Sequence, residues 1–347
     1  MSVRAAYVYA NPRRALARDV VAGLAPDTGL LGQNHLAPLG VEATVHDPAL
    51  TRERPGVVHR LTWHLRELVL PFELYGVDVV CTPLANLLPL TLRARGLPTV
   101  VVNYGLNLIV LRSSRARRRL LGSSLRAAAK VVCLGESQRE ELLELTGLPE
   151  HHVVTALFGV DERFFRPSRP GDGYVLSVGR DLARDYGSLA EAVDGLDARL
   201  VIVAEARNLV GVALPEGLEV RRGLSYPELR DLYADAACVV IPLRRDGYPY
   251  GSEASGLTAF LEAAASGKAV IASERTILRD YLEPGRSGLT VPPEDPQALR
   301  FALERVLGDR ELAGGLGAAA REDVERRLTT RHLAERLAPL LREAAGS

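Results

Sequence analysis

Gly251-Ser252-Glu253-Ala254-Ser255-Gly256-Leu257-Thr258-Ala259-Phe260-Leu261-Glu262-Ala263-Ala264-Ala265-Ser266-Gly267-Lys268-Ala269-Val270-Ile271 reads as a loop, then a helix, then a strand. Ser255 and Gly256 stand where a helix N-terminus begins. The N–H groups of Gly256, Leu257 and Thr258 are then predicted to be free. With the helix dipole they form an anion site worth ~0.3–2 kcal/mol for a charge at the terminus. Gly256 has no side chain to hold a phosphate away from the backbone. Glu262 lies one turn beyond Thr258 on the same helix, placed to accept hydrogen bonds from a diol such as ribose. Its other reading is an ordinary helix-surface glutamate, although it interrupts an Ala/Leu-rich run.

The same alternation of strand and helix extends outward along the whole chain. Strands are predicted at Ala5–Tyr9, Val41–Val45, Asp78–Cys81, Thr99–Asn103, Lys130–Leu134 and Val153–Leu157, with helices at Leu61–Glu73, Arg115–Ala129 and Ser137–Leu145. Arg166–Gly173, with two prolines and two glycines, reads as a linker. The pattern then restarts with strands at Tyr174–Val178, Arg199–Ala204, Leu218–Arg221, Cys238–Leu243, Ala269–Ala272 and Leu289–Val291. Helices are predicted at Leu189–Val193, Tyr226–Ala236, Gly256–Ala265 and Pro296–Leu307, and a helical tail over Arg321–Ala345. Such alternation implies parallel sheets covered on both faces. The expected organisation is an N-terminal domain over 1–167, a second over 168–325, and a C-terminal helix over 326–347 returning to the first. A cleft between two such domains is the default place for a ligand.

Composition narrows the function classes. The 347 residues are 47% hydrophobic and 25% charged, which is ordinary globular composition. The 43 basic and 43 acidic residues cancel, so a whole-molecule footprint for nucleic acid is absent. Cys81, Cys133 and Cys238 sit singly in apolar runs, against a disulfide framework or a cysteine-based zinc site. The most apolar stretch, Val77–Leu92, is interrupted by Asp78, Pro83, Asn86 and Pro89, so no membrane span is predicted and a cytoplasmic protein is expected. No Gly-x-Gly-x-x-Gly follows a strand, and Ser266-Gly267-Lys268-Ala269 lacks the first glycine and the hydroxyl residue of a P-loop. No Asp-x-Asp pair is present, and no metal or cofactor is expected.

A second cluster, Ser177-Val178-Gly179-Arg180-Asp181-Leu182-Ala183-Arg184-Asp185-Tyr186-Gly187, closes the first strand after the linker. Carboxyl ends of strands are where α/β folds bind ligands. Arg180 there would present its fork of donors to a diphosphate, or else pair with Asp181 or Asp185 in an exposed turn.

These residues, in this order, resemble the retaining family 4 glycosyltransferases with the GT-B fold. The resemblance rests on Gly256-Leu257-Thr258, Leu261-Glu262-Ala263, Ser266–Ile271, Gly285-Arg286-Ser287-Gly288-Leu289 and Val291-Pro292-Pro293. Upstream, Glu228–Ala236, Val240-Ile241-Pro242, and Phe158–Asp161 followed by Phe164–Pro167 match as well. It is strong from about Lys130 to Arg331. It implies two Rossmann-like β/α domains facing each other across a cleft, and transfer of a sugar from a UDP- or GDP-sugar, with retention and without metal, to an acceptor the sequence does not name. It also implies that the donor diphosphate sits on Gly256, Leu257 and Thr258, its ribose on Glu262, and its developing charge on Arg180. Base contacts are expected near Leu224–Pro227. The family's first glutamate would fall at Ala254; Glu253 is one residue away, and a subset reading Ser-Gly-x-Thr, as Ser255–Thr258 does, lacks it. Arg184 stands near the family's usual lysine, and Asn103-Tyr104 where a histidine is common.

The first half is expected to bind the acceptor. Asp27–Leu36 reads as a glycine-containing loop entering a helix; in the family the matching loop faces the donor phosphates, making Gly32 and His35 candidates beside a plain capping turn. Arg112, Arg115, Arg117, Arg118, Arg119, Arg126 and Lys130 form a basic segment flanked by leucines. It reads as an exposed arginine face, or as a contact with an anionic membrane or a lipid-linked acceptor. Two other function classes stay open: a non-catalytic nucleotide-sugar or partner-binding protein, and a nucleotide-sugar epimerase or hydrolase.

Overall fold

A computed structural model describes residues 2–9, 11–47, 66–83, 85–167 and 173–346. Residues 61–65 of the predicted Leu61–Glu73 helix and residues 168–172 of the linker lie outside the described residues. The chain forms two compact units: Met1–Ala22, Asp27–Phe158 and Thr330–Ser347 in one, Gly23–Pro26 and Gly159–Thr329 in the other.

The first unit holds a six-stranded sheet in the order β2-β1-β3-β4-β5-β6, from β1 Val3–Val8, β2 Val41–His46, β3 Val79–Thr82, β4 Thr99–Asn103, β5 Lys130–Cys133 and β6 Val153–Thr155. Every pairing is parallel. All residues of β3 and β4 are buried, which is why these strands read as unbroken apolar runs without alternation. The helices of this unit include α1 Arg14–Val21, α2 Leu88–Arg93, α3 Leu106–Leu111, α4 Arg115–Ala127 and α5 Glu136–Thr146.

The second unit repeats the plan in the order β12-β11-β10-β7-β8-β9. Its strands are β7 Val175–Val178, β8 Leu200–Val203, β9 Glu219–Arg221, β10 Cys238–Ile241, β11 Ala269–Ser273 and β12 Leu289–Val291, again all parallel. Its helices are α6 Tyr186–Val193, α7 Tyr226–Asp235, α8 Leu257–Ala265, α9 Pro296–Gly308 and α10 Arg310–Arg327. Side-chain caps start most of them: Asp185 accepts from Ser188 N, Ser225 from Glu228 N and Asp295 from Ala298 N. Val175, Leu189, Ile202, Val240, Ile271 and Leu303 join in the core of this unit.

Two expectations change. The tail is not one helix: it breaks at Leu328-Thr329, where Leu328 O accepts from Val160 N (2.9 Å), and continues as α11 Thr330–Ala345. That last helix packs on β1, β3 and β4 of the first unit. It buries Leu333, Ala334, Leu337, Ala338 and Leu341. Asp27–Leu36 does not enter an α-helix either; it forms short 3-10 turns at Asp27–Leu30 and Gln33–His35, because Leu31 and Gly32 between them take positive φ (54° and 73°). Among the described residues, no helix is long and apolar enough to cross a membrane.

Candidate functional site

In the second sheet the chain runs outward from β7 to β9, then returns to place β10 on the other side of β7. The carboxyl ends of β7 and β10 therefore flank the topological switch point, where loops diverge and leave a crevice. Two loops leave it, Gly179–Asp185 after β7 and Pro242–Arg244 after β10. They are stitched together by Asp185 N to Pro242 O (3.0 Å) and Arg244 N to Ala183 O (2.8 Å).

The start of α8 is brought against the same edge. Gly256 is its N-cap residue, with φ +91°, and a Cβ there would lie 2.9 Å from Ile241 Cγ2 and 3.0 Å from Leu243 Cδ1. Glycine is thus required by the close approach of helix to strand as well as by the backbone conformation. One of the three predicted N–H donors is not free: Leu257 N donates to Ala254 O (3.2 Å), closing a turn ahead of the helix. The donors left for a ligand are the N–H groups of Gly256 and Thr258.

Glu262 is not a surface residue. It is 6% exposed, and Tyr233 of α7 donates its hydroxyl to Oε2 (2.9 Å). Burial raises its carboxyl from the ordinary 4.5 to about 7, while the Tyr233 hydrogen bond, Arg184 and Arg180 each pull it back down. Burial drives the Tyr233 phenol well above its ordinary range, so that it stays a donor. Tyr233 itself stands edge-on to Phe165 (centroids 5.7 Å apart).

Arg184 is 7% exposed, and its Nε and Nη1 are buried without a hydrogen-bond partner among the described residues. Its guanidinium fills the space that a side chain on Gly179 would take: a Cβ there would fall 2.0 Å from Nε and 2.6 Å from Cζ. Ser255, 4% exposed, likewise has an unpartnered buried Oγ, one residue before the N-cap of α8. Unsatisfied buried donors are costly, and polar groups left so at a strand's carboxyl edge point to a missing ligand. Arg180 is exposed. It does not pair with either aspartate: the Asp181 carboxylate accepts backbone N–H groups, and Asp185 pairs with Arg244 (3.1 Å).

The loop preceding α8 is held from both sides. Asp181 accepts from Ser252 N (3.0 Å) and Ala183 N (2.7 Å). From the other side, Arg275 Nη2 donates to the carbonyls of Ser252 (3.3 Å) and Glu253 (3.4 Å). Glu253 is half-buried in this loop.

The second unit therefore collects Arg180, Arg184, Glu253, Gly256, Leu257, Thr258 and Glu262 around one edge of its sheet. Gly32 belongs to the first unit. A Cβ on Gly32 would meet Thr330 O at 2.8 Å and Ala334 N at 2.9 Å, so the packing of α11 accounts for that glycine without a ligand. His35 pairs with Asp27 (2.8 Å) beside Thr330. Lys268 donates Nζ to Ala234 O (2.6 Å) at the end of α7. Sequence reasoning missed Tyr233 and Arg244, placed Ser255 at the helix start without its unpartnered hydroxyl, and offered Asp185 to Arg180 where Arg244 takes it. Tyr233 lies within the matching stretch Glu228–Ala236, which carried no role for it.

The family described as glycosyl transferases group 1 matches residues 177–309, the stretch that builds this site. D-inositol 3-phosphate glycosyltransferase 1 of Catenulispora acidiphila is 28% identical over 272 residues, covering 67% of this chain and 63% of the relative. Among solved structures, sucrose-phosphate synthase from Thermosynechococcus elongatus superposes with a TM-score of 0.74 at 18% identity, over 99% of this chain and 100% of that one. Anabaena HepE in complex with UDP and glucose gives 0.72 at 12% identity, over 98% and 100%. The fold is GT-B: two Rossmann-like α/β domains built on parallel six-stranded sheets.

Proposed function

We propose that the protein is a retaining glycosyltransferase that takes a sugar from a UDP- or GDP-sugar without a metal ion. The observation that carries this is the buried group of Arg184, Glu262 and Ser255 at the switch point, with donors of Arg184 and Ser255 unpartnered among the described residues. The match of residues 177–309 to group 1 glycosyl transferases supports the same reading.

On this reading the donor diphosphate lies between Arg184 and the N–H groups of Gly256 and Thr258, with Ser255 Oγ giving a further donor. Glu262 keeps Oε2 on Tyr233 and offers Oε1 to the ribose hydroxyls. Leaving-group departure puts negative charge on the distal phosphate. Exposed Arg180 and buried Arg184 meet that charge, so their contribution grows toward the transition state. Glu253 stands at the sugar end of the loop that Asp181 and Arg275 hold in register. The acceptor is not fixed by these residues; an inositol phosphate, the acceptor class named for the Catenulispora relative, is the first to assay.

The test is thermal unfolding with UDP, GDP, ADP and dTDP, each with and without magnesium. A nucleotide at 100 times its Kd should stabilise by about 2.7 kcal/mol. Stabilisation by one nucleotide regardless of magnesium is expected, and its loss in Glu262→Ala places the ribose. No shift with any nucleotide overturns the reading. Binding without turnover across acceptors would favour a non-catalytic nucleotide-sugar-binding protein instead.

A further inference from the structure

The segment 112–130 plays no part in the site just described. It holds six arginines and one lysine with no acidic residue, in a chain whose charges cancel overall. The segment starts before α4 and runs to the first residue of β5. Only the C-terminal part of α4 packs: Leu121, Ser124 and Leu125 are buried. Residues 115–120 are exposed at every position, so the first turn and a half of α4 buries none of its side chains. Arg115, Arg117 and Arg119 form no ion pair among the described residues. Arg118 is held differently, donating Nε to Ser113 O (3.0 Å) and Nη2 to Leu111 O, which ties α4 to the end of α3.

Two features break ordinary rules. Arginines crowd the positive end of a helix, where carboxylates are favoured and cations disfavoured. Large apolar residues also stay exposed beside them: Ile109 and Leu111 at 42% and Leu120 at 44%. A solvated arginine face explains neither the apolar residues nor the uniform sign. A surface that is negative outside and apolar just beneath explains both. We propose that the exposed end of α3 and the first turns of α4 form a docking surface for an anionic lipid bilayer. The arginines meet headgroup phosphates, and Ile109, Leu111 and Leu120 enter the boundary below them. A nucleic acid would satisfy the charge but give the three apolar side chains no partner.

The test is co-flotation of the full chain with vesicles of phosphatidylglycerol and phosphatidylcholine, against phosphatidylcholine alone and against heparin. Binding to the anionic vesicles and not to the neutral ones is expected. Each of Arg115→Gln, Arg117→Gln and Arg119→Gln should weaken partitioning about fivefold, the equivalent of about 1 kcal/mol per arginine. Ile109→Ser with Leu120→Ser should weaken vesicle binding and leave heparin binding unchanged. All these residues are exposed, so an unshifted melting temperature will show that the fold is intact. No binding to anionic vesicles overturns the proposal. So does vesicle binding that the two serine substitutions leave untouched, which would make the patch a general polyanion site. Neither outcome bears on nucleotide binding by the second unit, so the two readings fail separately.

Discussion

The two sheets end in buried polar residues, and they treat them in opposite ways. In the first unit, at the end of β4, Asn103 donates to Asn107 Oδ1 (2.9 Å) and accepts from Gly105 N and Leu106 N (3.0 and 2.8 Å). Asn107 in turn donates to Gln138 O and Glu141 Oε2 (2.9 and 2.7 Å), and Gln138 accepts from Leu134 N (2.7 Å). Asn103 and Asn107 thus have partners at both amide oxygen and amide nitrogen. In the second unit, in the loop after β7 and just before α8, Arg184 and Ser255 keep buried donors without a hydrogen-bond partner among the described residues. Closed networks fix a backbone, whereas open ones are held ready for a ligand. Burial alone would not have separated the two.

Breaking this contrast gives the largest effect at Arg184. Arg184→Met removes the unsatisfied cation while keeping bulk over Gly179. Nucleotide affinity, measured by calorimetry, should fall about 100-fold, in line with about 2–3 kcal/mol for hydrogen bonds to charged groups. The melting temperature of the ligand-free protein should hold or rise, because a buried charge without hydrogen bonds is costly. A fall in stability with unchanged affinity would move Arg184 into the structural class. The opposite pattern is expected for Asn103→Ala. Leaving Asn107 Oδ1 and two N–H groups unpaired should cost about 2 kcal/mol of stability, read by denaturant unfolding, with nucleotide affinity unmoved.

Glu262 sharpens the comparison through pH. Its folded value of about 7 lies above the ordinary 4.5, so ionising it costs stability in the ligand-free protein. Its contribution is fully present below 4.5 and is lost as pH rises through about 7. Melting temperature should therefore decline by a few degrees across that window, and Glu262→Gln should flatten the decline. Binding of a nucleotide-sugar should show the reverse trend, strengthening as the carboxylate forms. A wild-type profile already flat would mean that the carboxyl is not held as described.

The fold was largely legible because buried parallel strands are short apolar runs between turn signals, and each predicted strand overlaps an observed one. Helices with mixed surroundings were harder. Leu88–Arg93 and Leu106–Leu111 are six-residue helices, mostly apolar and too short to carry helical periodicity. Within the site, Gly256 and Glu262 were readable because one helix carries both at fixed spacing. Tyr233 was not, since it reaches Glu262 from another helix 29 residues upstream, and the pairing depends on how α7 and α8 pack. Whether Arg180 or Arg184 is the buried arginine depends on a loop bend that the sequence does not print.

The return of α11 to the first unit has a consequence for synthesis on the ribosome. Nearly all of the second unit is one continuous stretch, Gly159–Thr329, and it can complete its core as soon as that stretch has emerged. The first unit cannot, although most of it is made earlier. Its sheet waits for Thr330–Ala345 to cover β1, β3 and β4 and to seat against Gly32. The half translated first is thus the half finished last, and in the interval its uncovered sheet face is where a nascent chain would need a chaperone.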